Sequence, residues 1–148
     1  MRGGSNPYFK VKYGDVEVAG QSLAKDLTGA IPSVELATSS GDLYTLIMDD
    51  PDSRTNIFAK TKFPFIHWFV INIKGSDFSS GDAVYEYEGP APPSGRHRYV
   101  FQLYKQLLGS APRPKVSADR SIYDKQLFIR NQQLQPIGSP LYFFVGNA

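Results

Sequence analysis

The chain contains no cysteine, which excludes disulfides, thiolate nucleophiles and cysteine-held zinc or iron–sulfur centres. It has no apolar run of the ~18 residues that a membrane-spanning helix needs. Charge of one sign is lacking as well. The 16 basic and 14 acidic side chains leave a net charge of +2, which offers no concentrated basic face for nucleic acid. Histidine is scarce, with two residues, so each one carries weight. The opening Met1-Arg2-Gly3-Gly4-Ser5-Asn6-Pro7 lacks the apolar core of a signal peptide. Residues 1–7 are expected to be a flexible leader and residues 8–148 a single domain, in a chain compatible with a cytoplasmic location.

What is present points to strands. Apolar residues make up 41% of the 148, enough for one core. Nine Tyr and ten Phe favour strands and pocket walls, and thirteen Gly with eleven Pro supply defined turns. Phe9-Lys10-Val11-Lys12-Tyr13 alternates as a half-buried strand, and Val16-Glu17-Val18 continues it after the Gly14-Asp15 turn. Residues 32–37 suit another strand. Leu43 to Met48 is a continuous apolar run, expected to be covered on both faces. Residues 50–64 hold two prolines and read as a long loop.

Phe65 to Ile73 is expected to be central, with Phe65, His67, Phe69 and Ile71 on one face and Ile66, Trp68 and Val70 on the other. Residues 83–87, 98–104 and 141–145 suit further strands, and Asp124 can cap a helix running to Gln133. The fold class is therefore mostly β. A Greek-key-type sandwich of two antiparallel-rich sheets is expected, with eight or more strands and one or two short helices.

Three segments carry chemistry. His67 sits mid-strand among aromatic residues, where it is either a satisfied core histidine or a pocket group. Asp50-Pro51-Asp52 follows the buried run directly. The proline biases Asp50 toward extended backbone, so the two carboxylates can converge; alternatively they end the strand by accepting turn amides. A calcium or magnesium site would need more acids than the following Arg54, Lys60 and Lys62 allow, so no metal is expected. Gly95-Arg96-His97-Arg98-Tyr99 emerges from the proline-rich Pro90-Ala91-Pro92-Pro93. His97 and Tyr99 share a face and can meet a ligand, while Arg98 points the other way. Arg98 is expected to act as a structural brace to Asp50 or Asp52.

Together these segments closely resemble the phosphatidylethanolamine-binding protein family, also called Raf kinase inhibitor proteins. The resemblance runs from Val11-Lys12-Tyr13-Gly14 through Met48-Asp49-Asp50-Pro51-Asp52, Ile66-His67-Trp68 and Gly95-Arg96-His97-Arg98-Tyr99-Val100-Phe101 to Pro136 and Tyr142-Phe143. It implies a β-sandwich with a small anion pocket for phosphate, phosphoethanolamine and related groups. By the same resemblance Asp50, Pro51, Asp52, His67, Ala91, Pro92, Pro93, His97 and Tyr99 form the pocket, with Phe65 and Tyr142 on its wall. A carboxylate beside a bound phosphate must share a proton with it, orient His67, or meet the ligand's ammonium group.

The resemblance also implies a non-enzymatic binding or regulatory role. A protein kinase or protease is the implied partner, peripheral membrane contact is a further expectation, and no cofactor or nucleic acid is implied. Two alternatives stand beside it. One is a phosphoester hydrolase using a His/Asp pair, although no activated nucleophile stands out. The other is a protease inhibitor whose pocket is only scaffold. The chain departs from the family at the rim: Ser53-Arg54 replace the usual Ala-Pro, and a shorter loop from Pro93 to His97 and a missing C-terminal helix after the last strand are expected.

Overall fold

The alternation at residues 9–13 becomes β1 (Phe9–Tyr13) in the computed structural model, which describes residues 6–55, 60–92 and 95–146. Phe9, Val11 and Tyr13 are buried. β1 pairs antiparallel with β2 (Val16–Glu17) and with β3 (Ser33–Leu36) in a three-stranded sheet. A four-residue helix, α1 (Lys25–Thr28), which the sequence did not signal, lies between β2 and β3. Asn6, expected to lie in the flexible leader, is tied into the fold. Asn6 is buried, and its Oδ1 accepts the backbone N–H groups of Tyr8 at 2.8 Å and Phe9 at 3.3 Å.

The second sheet holds β4 (Leu43–Asp50), β5 (Phe65–Lys74), β6 (Asp82–Tyr85), β7 (His97–Gln106), β8 (Leu134–Pro136) and β9 (Leu141–Val145). Its order is β6-β5-β4-β7, with β8 and β9 sharing the far edge of β7. Strands β4, β5 and β6 meander, and β7 returns to lie beside β4, which is Greek-key connectivity. β8 was not foreseen, because Leu134-Gln135-Pro136 is short and ends in proline. It is an edge strand, where proline's missing donor costs no ladder bond.

One face of the large sheet packs on the small sheet. Leu46, Met48, Trp68, Tyr99, Phe101 and Phe143 meet Phe9, Val11 and Tyr13 there. The other face carries Ile47, Ile66, Phe69 and Ile71 and is covered by α2 (Lys125–Asn131) through Phe128. Each fully buried side chain of this size contributes about 1.5–3 kcal/mol. Double coverage explains why β4 reads as an unbroken apolar run. Asp124 caps α2, accepting the Leu127 N–H at 3.2 Å. No helix among the described residues is long and apolar enough to cross a membrane.

The expected facing of β5 is wrong over half its length. Met48 pairs with Trp68 and Asp49 with Ile66, so one step on β4 spans two on β5 and His67 is the extra residue of a bulge. Face parity flips there. Trp68 and Val70 join the inter-sheet core, whereas Phe69 and Ile71 join Ile66 beneath α2.

Candidate functional site

Antiparallel pairing gathers the chemistry at one end of the large sheet. β4 ends at Asp50, β5 begins beside it at Phe65, and β7 begins at His97, with Asp49 opposite both Ile66 and Val100. A cavity of about 270 Å³ opens at this end. Asp50, Phe65, His67, Ala91, Pro92 and Tyr99 line it, as do Thr61, Glu88, Gly89 and Ser121, which the sequence did not single out.

His67 is buried, and its ring lies 4.8 Å from that of Phe65 and 5.1 Å, edge-on, from that of Tyr99. Its Nδ1 is 2.6 Å from the Glu88 carbonyl oxygen, which fixes the ring's orientation. Burial holds its pKa down at about 4, helped by the nearby charges of Arg120 and His97 and opposed by the Glu88 hydrogen bond. The imidazole is therefore neutral at pH 7. Burial also raises the Tyr99 pKa, and the carboxylates of Asp50 and Asp52 raise it further, so the phenol keeps its proton.

Asp50 is buried and crowded with donors. Its Oδ1 accepts the N–H groups of Asp52 at 2.9 Å and Ser53 at 3.2 Å, and its Oδ2 meets His97 Nδ1 at 2.6 Å. Burial lifts its pKa, against the pull of His97. The expected convergence of Asp50 and Asp52 does not occur, because Pro51–Thr55 is a short 3-10 helix rather than extended chain. Asp52 turns toward β7 instead. Its Oδ2 accepts the Arg98 backbone N–H at 2.7 Å, and its Oδ1 lies 3.7 Å from the Arg98 guanidinium. Arg98 thus braces Asp52 from the surface.

Other expected site residues stand away from the cavity wall. His97 is buried behind Asp50, hydrogen-bonded to it and stacked on Tyr99, and is not among the lining residues. Pro51 and Asp52 are not among the lining residues. Tyr142 pairs with Val100 and packs edge-on against Phe144, on the sheet face opposite that of Tyr99 and Phe143, so it does not form the wall. The alternation of β9 places it there. Pro93 lies outside the described residues.

Arg120 was missed altogether. Its Nη1 donates to the carbonyls of His67 at 3.0 Å and Glu86 at 2.8 Å, and its own carbonyl accepts the Ile66 N–H at 3.0 Å. Its guanidinium stacks over Tyr85 at 4.9 Å, and its Nε sits 3.6 Å from a Glu88 carboxylate oxygen. Arg120 thereby ties β5 to the 86–88 segment, adding a donor to a His67 carbonyl that also accepts the Glu88 N–H at 2.9 Å. Nothing in the local pattern Asp119-Arg120-Ser121 signals this role. No group of three His, Asp or Glu side chains able to hold a metal ion occurs among the described residues.

The protein-family model described as phosphatidylethanolamine-binding protein matches residues 16–136. Protein MOTHER of FT and TFL1 homolog 2 of Oryza sativa subsp. japonica is 37% identical over 127 residues, covering 82% of this chain and 71% of that protein. Protein BROTHER of FT and TFL 1 of Arabidopsis thaliana is 41% identical over 91 residues, covering 59% of this chain and 50% of that protein. Among solved structures, a carboxypeptidase Y inhibitor complexed with its cognate proteinase superposes with a TM-score of 0.76 at 25% identity, covering 95% of this chain and 83% of that one. The phosphatidylethanolamine-binding protein of Plasmodium vivax shares the fold, with a TM-score of 0.70 at 20% identity over 95% of this chain and 85% of that one. The chain belongs to the phosphatidylethanolamine-binding protein family.

Proposed function

We propose that this chain is a non-enzymatic binding module whose cavity takes a small phosphate-bearing group such as phosphoethanolamine, and whose occupancy changes how a protein partner docks on the rim. One observation carries the reading: Asp50, His67 and Tyr99 come from three different strands and converge on a single cavity of about 270 Å³. That volume suits a guest of headgroup size. The protonated Tyr99 phenol offers a hydrogen-bond donor to a phosphate oxygen. Arg54, on the 3-10 helix that follows Asp50, and Lys60 add positive charge on exposed positions that would favour an anionic guest or an anionic surface. Against an enzyme, no hydroxyl is hydrogen-bonded to His67 among the described residues, and Ser121 Oγ donates to Asp119 at 2.6 Å. For a protein partner, the carboxypeptidase Y inhibitor bears the same fold in complex with a proteinase; a proteinase or a kinase is the partner class proposed here.

Titration with phosphoethanolamine, followed by amide and side-chain NMR, tests the proposal. The signals of Asp50, His67, Ala91 and Tyr99 should shift together, and His67→Ala should weaken binding about tenfold, the worth of one good buried hydrogen bond. Saturating ligand that moves none of these signals would sink the assignment. Phosphoester cleavage at stoichiometric protein would overturn the non-enzymatic part alone.

A further inference from the structure

The hydrogen bonding of His67 restricts which phosphate the cavity can hold. Its Nδ1 faces the Glu88 carbonyl at 2.6 Å, and a carbonyl only accepts, so Nδ1 carries the ring's proton. Nε2 is the one ring nitrogen left to meet a guest, and no protein partner reaches it among the described residues. In a neutral imidazole that atom is an acceptor.

The surroundings keep the ring neutral. On β5 and β7 its neighbours are the aromatic rings of Phe65 and Tyr99. From the 119–121 segment, the Arg120 guanidinium donates to the carbonyl of His67 itself. His97 stands behind Asp50. The nearby anions are engaged elsewhere: Asp50 accepts from Asp52, Ser53 and His97, Asp52 from Arg98, and Glu88 pairs with Arg120. A free phosphate dianion would therefore meet a lone pair on Nε2 and a carboxylate on Asp50, both of which repel it.

We propose that the cavity selects phosphate monoesters in their singly protonated, singly charged form, the P–OH group donating to His67 Nε2, and discriminates against dianions and against diesters, which have no P–OH. The inference rests on the phosphate reading above. Its proton balance is simple. Above the ligand's second pKa, the free dianion and neutral His67 take up one proton on binding, and that proton sits on a non-bridging phosphate oxygen, shared with Nε2. A diester headgroup, as in an intact phospholipid, cannot supply it.

Calorimetry and NMR with O-phosphoethanolamine, its phosphonate analogue and glycerophosphoethanolamine test this between pH 5 and 8. Monoester affinity should stay level up to the ligand's second pKa, about 6 for a phosphate monoester, and then fall tenfold per pH unit. One proton should be taken up per ligand at pH 8, read from buffers of different ionisation enthalpy. The break should move up with the phosphonate, whose second pKa is higher. The diester should bind at least tenfold more weakly at pH 6. Nitrogen-15 shifts of the free protein at pH 7 should show a protonated Nδ1 and a bare Nε2, and His67→Phe should erase the preference for monoester over diester.

The inference falls if monoester affinity is constant or rises from pH 6 to 8, if the break stays at one pH for phosphate and phosphonate, or if the diester binds equally well. These wild-type outcomes decide the matter even if His67→Phe does not fold. If none of the three compounds shifts Asp50, His67 or Tyr99 at any pH, the phosphate reading itself fails and takes this inference with it.

Discussion

At the scale of the residue, His67 sets most of the site's behaviour. As the extra residue of a bulge it faces Phe65 and Tyr99 rather than the core beneath α2. Burial holds its folded-state pKa at about 4, below the ordinary 6.5. The sign of the linkage follows. The unfolded chain binds the proton more readily, so this contribution to stability is complete above about pH 6.5 and is lost as pH falls toward 4. A shift of this size corresponds to about 3 kcal/mol. His67→Phe should therefore flatten the pH dependence of urea-unfolding free energy between pH 6.5 and 4 relative to the parent. An unchanged slope would place the titrating group elsewhere. The chemistry of Asp50, Pro51 and His67 was legible as residue types in a familiar spacing. Their geometry was not: the carboxylates part because a 3-10 helix follows Pro51, and Asp52 goes to Arg98.

At the scale of elements, two contacts decide whether the site's supports stay in place. Lys125, at the start of α2, reaches the buried carboxylate of Asp49 on β4. Burial raises the Asp49 pKa, and Lys125 pulls it back down. Lys125→Met leaves that charge without compensation and should cost about 3–5 kcal/mol at pH 7. The loss should shrink near pH 4, because a carboxyl whose folded pKa is raised favours folding while it is protonated. Denaturant titrations at the two pH values measure this; equal losses would mean that Asp49 is not the group concerned.

The second contact is Gly89, on the cavity wall. A Cβ there would sit 2.8 Å from the Thr28 carbonyl oxygen and 2.9 Å from the Gly29 Cα, both backbone atoms that cannot swing aside. Gly89→Ala should cost about 1–3 kcal/mol by overpacking, and should weaken phosphoethanolamine binding by pushing the wall off α1. Thermal melts and the same NMR titration report both effects. The helix at α2 was legible through its cap and its apolar side. α1, β8 and the bulge were not, because four-residue and three-residue elements owe their existence to what they pack against.

At the scale of the whole molecule, the strands that carry the site are also the most central. β4 is flanked by β5 and β7 and covered on both faces. Its amides, and the paired amides of β5 and β7, should exchange with solvent only on global unfolding, whereas β2, with two residues at a sheet edge, should exchange through local opening. Native-state hydrogen exchange followed by mass spectrometry checks this. Early exchange in β4 would mean that the site does not rest on the stable core. Asp50, His67 and Tyr99 sit at strand ends within that core, whereas the wall at 88–92 and Ser121 comes from connecting segments.

Taken by itself, the sequence determined the class of fold and the family. Alternation, turn residues and the unbroken run at 43–48 can be read locally, and the motifs around Asp50, His67 and His97 stand out by residue type and spacing. Only the tertiary structure decided which of those residues share a wall. Register across β4, β5 and β7 is a non-local choice made by the two cores, and the bulge at His67 reverses the facing that simple alternation predicts. The same holds for Arg120. Its value comes from β5 carbonyls more than fifty residues away in the chain, at separations of 54 for Ile66 and 53 for His67. A local pattern carries no trace of that demand, because the demand exists only once the strands have paired.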